Sequence, residues 1–120
     1  MQVRTIVLES GGKEVIKLKH GSYVFRVKLV DLPNEFVEVY RCVSNQCRCI
    51  HFDLTDQYGI IEFEDSVEGL ATIVYRFIHK GRVFGEIHVI PIVIDASEII
   101  RKTTSLIETL MFARRITIRG

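Results

Sequence analysis

The segment SYVFRVKLV (22–30) alternates without a break, with Tyr23, Phe25, Val27 and Leu29 on one face and Val24, Arg26, Lys28 and Val30 on the other. A period of two sustained over nine residues commits this stretch to a half-buried β-strand, and the pattern recurs along the chain. VRTIVLE (3–9) stops at Ser10-Gly11-Gly12, and EVIKLK (14–19) stops at His20-Gly21. After Asp31-Leu32-Pro33-Asn34 come EFVEVYRCV (35–43) and CRCIHFDL (47–54), around a hairpin loop at Ser44-Asn45-Gln46. YGIIEFE (58–64), ATIVYRFIH (71–79) and RVFGEIHVIPIVI (82–94) complete the set, the last two joined at Lys80-Gly81. Pro91 makes the end of the final strand an edge or a bulge, and Gly85 is a second bulge candidate.

One segment departs from this period. In DASEIIRKTTSLIETLMFAR, Ile99, Ile100, Leu106, Ile107, Leu110 and Ala113 recur at helical spacing behind an Asp95 or Ser97 cap. The tail ITIRG alternates again. The expected fold is mainly β: an antiparallel β sandwich or roll of about eight strands with one C-terminal amphipathic helix. Short turns argue for antiparallel neighbours, because parallel crossovers need a dozen or more residues. Its 120 residues make one domain, with strands within 2–94, the helix about 96–114 and a short terminal strand at 116–119.

Three thiols stand close together, Cys42, Cys47 and Cys49, followed by His51 and Asp53. If Ile50, Phe52 and Leu54 face the core, then Cys47, Cys49, His51 and Asp53 share the opposite face. Alternate strand residues lie roughly 6.5 Å apart, too splayed to close around a zinc ion that needs ligands at ~2.0–2.3 Å. Paired Cys-x-x-Cys knuckles are absent. Burial against a second layer, with at least two thiols covered, is therefore expected; no cofactor is implied. A metal set of Cys42, Cys47, Cys49 and His51, or a disulfide or redox pair, is the alternative.

Enzyme signatures are missing. Gly11-Gly12 precedes a strand instead of a helix, which is wrong for a phosphate loop, and no Gly-x-Ser-x-Gly elbow occurs. His51 with Asp53 and Asp56 could stage acid–base work, but strand ends and turns use the same residues. The net charge of +1 conceals segregation. Residues 53–68 hold six acids and no base, whereas Arg101, Lys102, Arg114, Arg115 and Arg119 crowd the C-terminal region. Lys17, Lys19, Arg26 and Lys28 become neighbours if the chain makes a hairpin at His20-Gly21, which supports a nucleic-acid-binding accessory protein as an alternative function.

The leading expectation is a non-catalytic protein-interaction or assembly module, a homo-oligomer or the subunit of a complex. Its contact residues are Arg101, Lys102, Phe112, Arg114, Arg115, Ile116, Ile118 and Arg119. No apolar run approaches a membrane span, and a cytoplasmic, reducing compartment is expected from the odd cysteine count and the lack of a secretory signal. Ile and Val number thirty against five Asn and Gln, a thermophile-like composition.

Overall fold

A computed structural model describes residues 1–93. The helix expected at 96–114 and the strand expected at 116–119 lie outside the described residues. Eight strands form, close to the stretches that alternation picks out: β1 (Gln2–Leu8), β2 (Gly12–Lys19), β3 (Gly21–Leu29), β4 (Phe36–Val43), β5 (Gln46–Leu54), β6 (Ile60–Val67), β7 (Ile73–His79) and β8 (Arg82–Ile92). They build two sheets, ordered β1-β3-β6 and β2-β8-β7-β4-β5. The chain is mainly β.

Two of the pairings are parallel, β1 with β3 and β2 with β8, where antiparallel neighbours were expected throughout. The reason lies in the role of β2. A parallel pair needs a crossover of about a dozen residues, and β2 with its two turns supplies it by crossing to the opposite sheet. Two contacts hold the first turn against β8. The Gly11 amide donates to the Phe84 carbonyl at 2.7 Å, and Gly85 lies so close to Leu8 that a Cβ there would meet its side chain at 2.9 Å. Gly85 thus flanks a bulge, since Phe77 opposes Gly85 while Ile78 opposes Val83. Pro91 lies beyond Val89, the last β8 residue paired with β7, so β8 has a single neighbour there.

The core is the space between the sheets. Tyr23, Phe25, Val27 and Leu29 are all buried, as the alternation of β3 requires, facing Val37, Val39, Ile73, Tyr75, Phe77, Ile87 and Val89 of the larger sheet. At its centre the Phe25 ring lies 5.2 Å from Phe63 and 5.0 Å from Tyr75, and Phe63 lies 6.0 Å from Phe77. Offset and tilted rings at this spacing add to the burial energy of the side chains.

A polar cluster links the two sheets beside this apolar layer. The Asp65 carboxylate on β6 accepts a hydrogen bond from Arg41 Nε on β4 at 2.8 Å and another from the Tyr75 hydroxyl on β7. Burial first, and then the bond to Asp65, raise the Tyr75 phenol far above its ordinary value. The folded state therefore keeps the Tyr75 proton at pH values where the unfolded chain, with phenols ionising near ~10, has released it. Above that pH the unfolded chain binds fewer protons, so stability falls as pH rises, by up to about 1.4 kcal/mol per unit from this group. Tyr75→Phe should lose this share of the alkaline slope and be about 1.5–3 kcal/mol less stable near neutrality. Urea unfolding of both proteins near neutrality and above pH ~10 checks this; identical alkaline slopes would contradict it.

Candidate interaction surface on the five-stranded sheet

The register of the larger sheet places the sequence-derived cysteines differently from expectation. Val43 pairs with Gln46, leaving a two-residue loop at Ser44-Asn45, both with positive φ (50° and 66°). That is the type I′ geometry of tight hairpins, one residue shorter than the loop read from the sequence. Antiparallel pairs alternate between hydrogen-bonded and non-bonded, so the next pair, Cys42 with Cys47, falls at a close-approach position. These two form a disulfide with a Cα–Cα distance of 4.0 Å. Cys42 is buried, but Cys47 and the free thiol of Cys49 are exposed, so two buried thiols are not found.

A bulge then breaks the face assignment of β5. Tyr40 opposes Cys49, yet Val39 opposes His51, so Ile50 is an extra residue on β5. Residues after it change faces. His51 opposes buried Val39 and turns inward, its ring 6.2 Å from Phe63, while Cys49 shares the outer face with Tyr40. Phe52 and Leu54, expected in the core, point outward, and only Ile50 packs against the core. The alternative metal set of Cys42, Cys47, Cys49 and His51 is thereby dismantled. Two of its thiols are bonded to each other, and its imidazole lies on the other side of the sheet. Among the described residues no group of three His, Cys, Asp or Glu side chains could hold a metal ion. Asp56, offered by the sequence as a partner of His51 and Asp53, builds the turn, its Oδ1 accepting the amides of Tyr58 and Ile60 at 2.8 and 2.9 Å.

The basic set fares similarly. β2 and β3 belong to different sheets, so His20-Gly21 makes no hairpin and Lys17 and Lys19 are not neighbours of Arg26 and Lys28. Arg26 pairs with Glu62 across β3 and β6 at 3.6 Å. A continuous phosphate-contacting patch does not form from these four. The residues Arg101, Lys102, Phe112, Arg114, Arg115, Ile116, Ile118 and Arg119 lie outside the described residues.

What the register does assemble is an outer-face map. One row runs Cys47, Cys42, Val74, His88, Val15. The next runs Cys49, Tyr40, Arg76, Glu86, Lys13, held by Arg76 Nε to Glu86 at 2.7 Å and by the Tyr40 hydroxyl to Glu38 at 2.9 Å. The Glu38 carboxylate raises the Tyr40 phenol above its ordinary value by accepting its proton's hydrogen bond. Beyond these rows the surface becomes apolar. Phe36 (55% exposed) and Phe52 (60%) stack at 5.1 Å beside Leu54 (47%), with Ile78 and Val83 (55%) continuing the corner. This apolar corner adjoins β5, which among the described residues has no neighbouring strand on its far side. Sequence reasoning missed Phe52 and Leu54 because strict alternation hides an inserted residue.

No protein-family model matches the chain, and no curated protein matches it either, so its fold and surface are the grounds for a functional reading. No helix among the described residues is long and apolar enough to cross a membrane.

The disulfide generates a direct test. Closing a loop with a sequence separation of 5 constrains the unfolded chain by about 2 kcal/mol. Non-reduced protein should show a single titratable thiol, Cys49, native or denatured, and Cys47→Ser should lower stability by that amount. Three reactive thiols in protein purified without reductant would contradict the assignment.

Proposed function

We propose that this chain is a non-catalytic protein-interaction module that engages its partner through the open edge of β5 and the apolar corner beside it. The single observation behind this reading is the coincidence of the two features. Phe36, Phe52 and Leu54 are exposed on the strand pair whose outer member, among the described residues, has no strand on one side. An unpaired strand edge offers main-chain hydrogen bonds to an added strand, and adjacent aromatics supply area at low entropic cost. Burying each of these side chains contributes about 1.5–3 kcal/mol.

Two features support a preformed surface. The Cys42–Cys47 disulfide and the type I′ turn tie β5 to β4, so little ordering is left for binding to cost. The disulfide also bears on location: such bonds persist in oxidising compartments and, as an exception, inside hyperthermophile cells. The thermophile-like composition makes a cytoplasmic location compatible with it. The nucleic-acid alternative loses its support with the separation of Lys17 and Lys19 from Arg26 and Lys28.

A photo-crosslinking residue at position 52 of the full chain should give a discrete adduct in cell extract or in purified solution. The same probe at exposed Val3, on the smaller sheet, should not. Equal labelling from both positions, or none from 52, would contradict the reading. The C-terminal residues 112–119 enter the proposal as a second contact, on their sequence alone. Deleting 116–120 should weaken assembly and leave far-UV circular dichroism largely intact; unchanged assembly would remove that contact.

A further inference from the structure

The occupant of the β5 edge is identifiable from its own residues. We infer that it is the β5 strand of a second copy, paired antiparallel about a two-fold axis at the Ile50 bulge; this rests on the interaction surface proposed above. The argument starts from directions. Hairpin alternation aims the backbone of Gln46, Arg48, His51 and Asp53 at β4, and that of Cys47, Cys49 and Phe52 at the open side. The same alternation puts Cys47, Cys49, Phe52 and Leu54 on the outer face, with Arg48, His51 and Asp53 inward. Odd residues are outward before the bulge and even residues after it.

Two copies of a strand in antiparallel register must keep like faces together, because a slip of one residue exchanges core and solvent sides. Without a bulge, each residue on the axis would oppose itself. Here a self-opposed Cys49 would force Cys47, which points outward, against His51 of the other copy, which points inward. Only when the axis falls between Ile50 and His51 do all the faces agree. Cys49 then opposes Phe52 of the second copy, Cys47 opposes Leu54, and Arg48 opposes Asp53. Ile50 of each strand, the extra residue, then opposes the inward His51 of the other. The bulge thus selects one register instead of closing the edge.

Charge singles out the same register. On its own sheet Arg48 opposes Arg41, a like-charge pair, and Arg41 is already bonded to Asp65. Among the described residues Arg48 has no acidic partner. Asp53 is exposed and has only His51 nearby, at 4.0 Å. Two-fold pairing brings each Arg48 to the Asp53 of the other copy, satisfying four stranded charges at once. Two five-stranded sheets become one continuous sheet, with Phe36, Phe52 and Leu54 of both copies along its outer side.

The test reverses the charges in the full chain and reads self-association by sedimentation velocity. Arg48→Asp and Asp53→Arg should each lose roughly tenfold or more in self-affinity, since each sets like charges opposite one another. Mixing the two variants should restore a dimer, and it should contain one chain of each, because the mixed pairing is again complementary. The doubly reversed chain should also self-associate. Asp53→Arg additionally releases the Leu54 amide, which Asp53 caps at 2.7 Å, so circular dichroism and thermal melts accompany every variant. If the wild type dimerises, yields to Phe52→Asp and ignores charge reversal, the surface stands and this register falls. A monomeric wild type whose position-52 probe captures a different protein retains the surface and overturns the second copy. A dimer insensitive to both Phe52→Asp and charge reversal overturns both.

Discussion

The arrangement depends on a single carboxylate. Aromatic packing between the sheets is strong but poorly directional, and rings such as Phe25, Phe63 and Phe77 could slide past one another at modest cost. Asp65 removes that freedom. From the smaller sheet it accepts hydrogen bonds from Arg41 and Tyr75 on two adjacent strands of the larger one, with Arg41 and Asp65 only 20% and 16% exposed. Removing one member of such a pair leaves the other uncompensated, which costs on the order of 3 kcal/mol. The clasp fixes β4, and β4 carries β5. It also commits Asp65 to Arg41, and Arg48, directly across the strand pair, has no acidic partner among the described residues.

The second determinant is one inserted residue. Ile50 shifts the phase of β5, so the strand begins with its cysteines outward and ends with Phe52 and Leu54 outward. A regular strand would have buried Phe52 and Leu54 and left a polar edge. The bulged strand instead presents apolar area next to unpaired backbone, and the disulfide beside the hairpin turn holds that presentation in place. Local covalent structure, packing and the proposed contact surface thus meet in one pair of strands.

Much of this was legible in residue order. All eight strands follow from alternation and turn chemistry, the buried face of β3 follows from Tyr23, Phe25, Val27 and Leu29, and Lys80-Gly81 makes the tight turn between β7 and β8. Alternation, however, reports which residues share a face and not which strands are neighbours. For that reason β2 read as half of a hairpin when it is a crossover between sheets. The bulge had no signature, since Ile50 is as apolar as the residues a regular strand would bury. The disulfide did have one. Cys47 follows Cys42 at a sequence separation of 5, around Ser44-Asn45, and a two-residue turn there sets them directly opposite. Reading that loop as three residues long concealed the pair.

If the open side of β5 is the contact surface, amide hydrogen exchange resolved along β5 must report it. The Cys47, Cys49 and Phe52 amides face the open side, whereas those of Arg48, His51 and Asp53 face β4. At dilutions that favour the monomer, the first group should exchange rapidly and the second slowly. As the concentration rises, protection should grow at Cys47, Cys49 and Phe52 while the β4-facing amides stay as they were. Protection that appears elsewhere in the molecule, with these three amides still exchanging freely, would contradict the account.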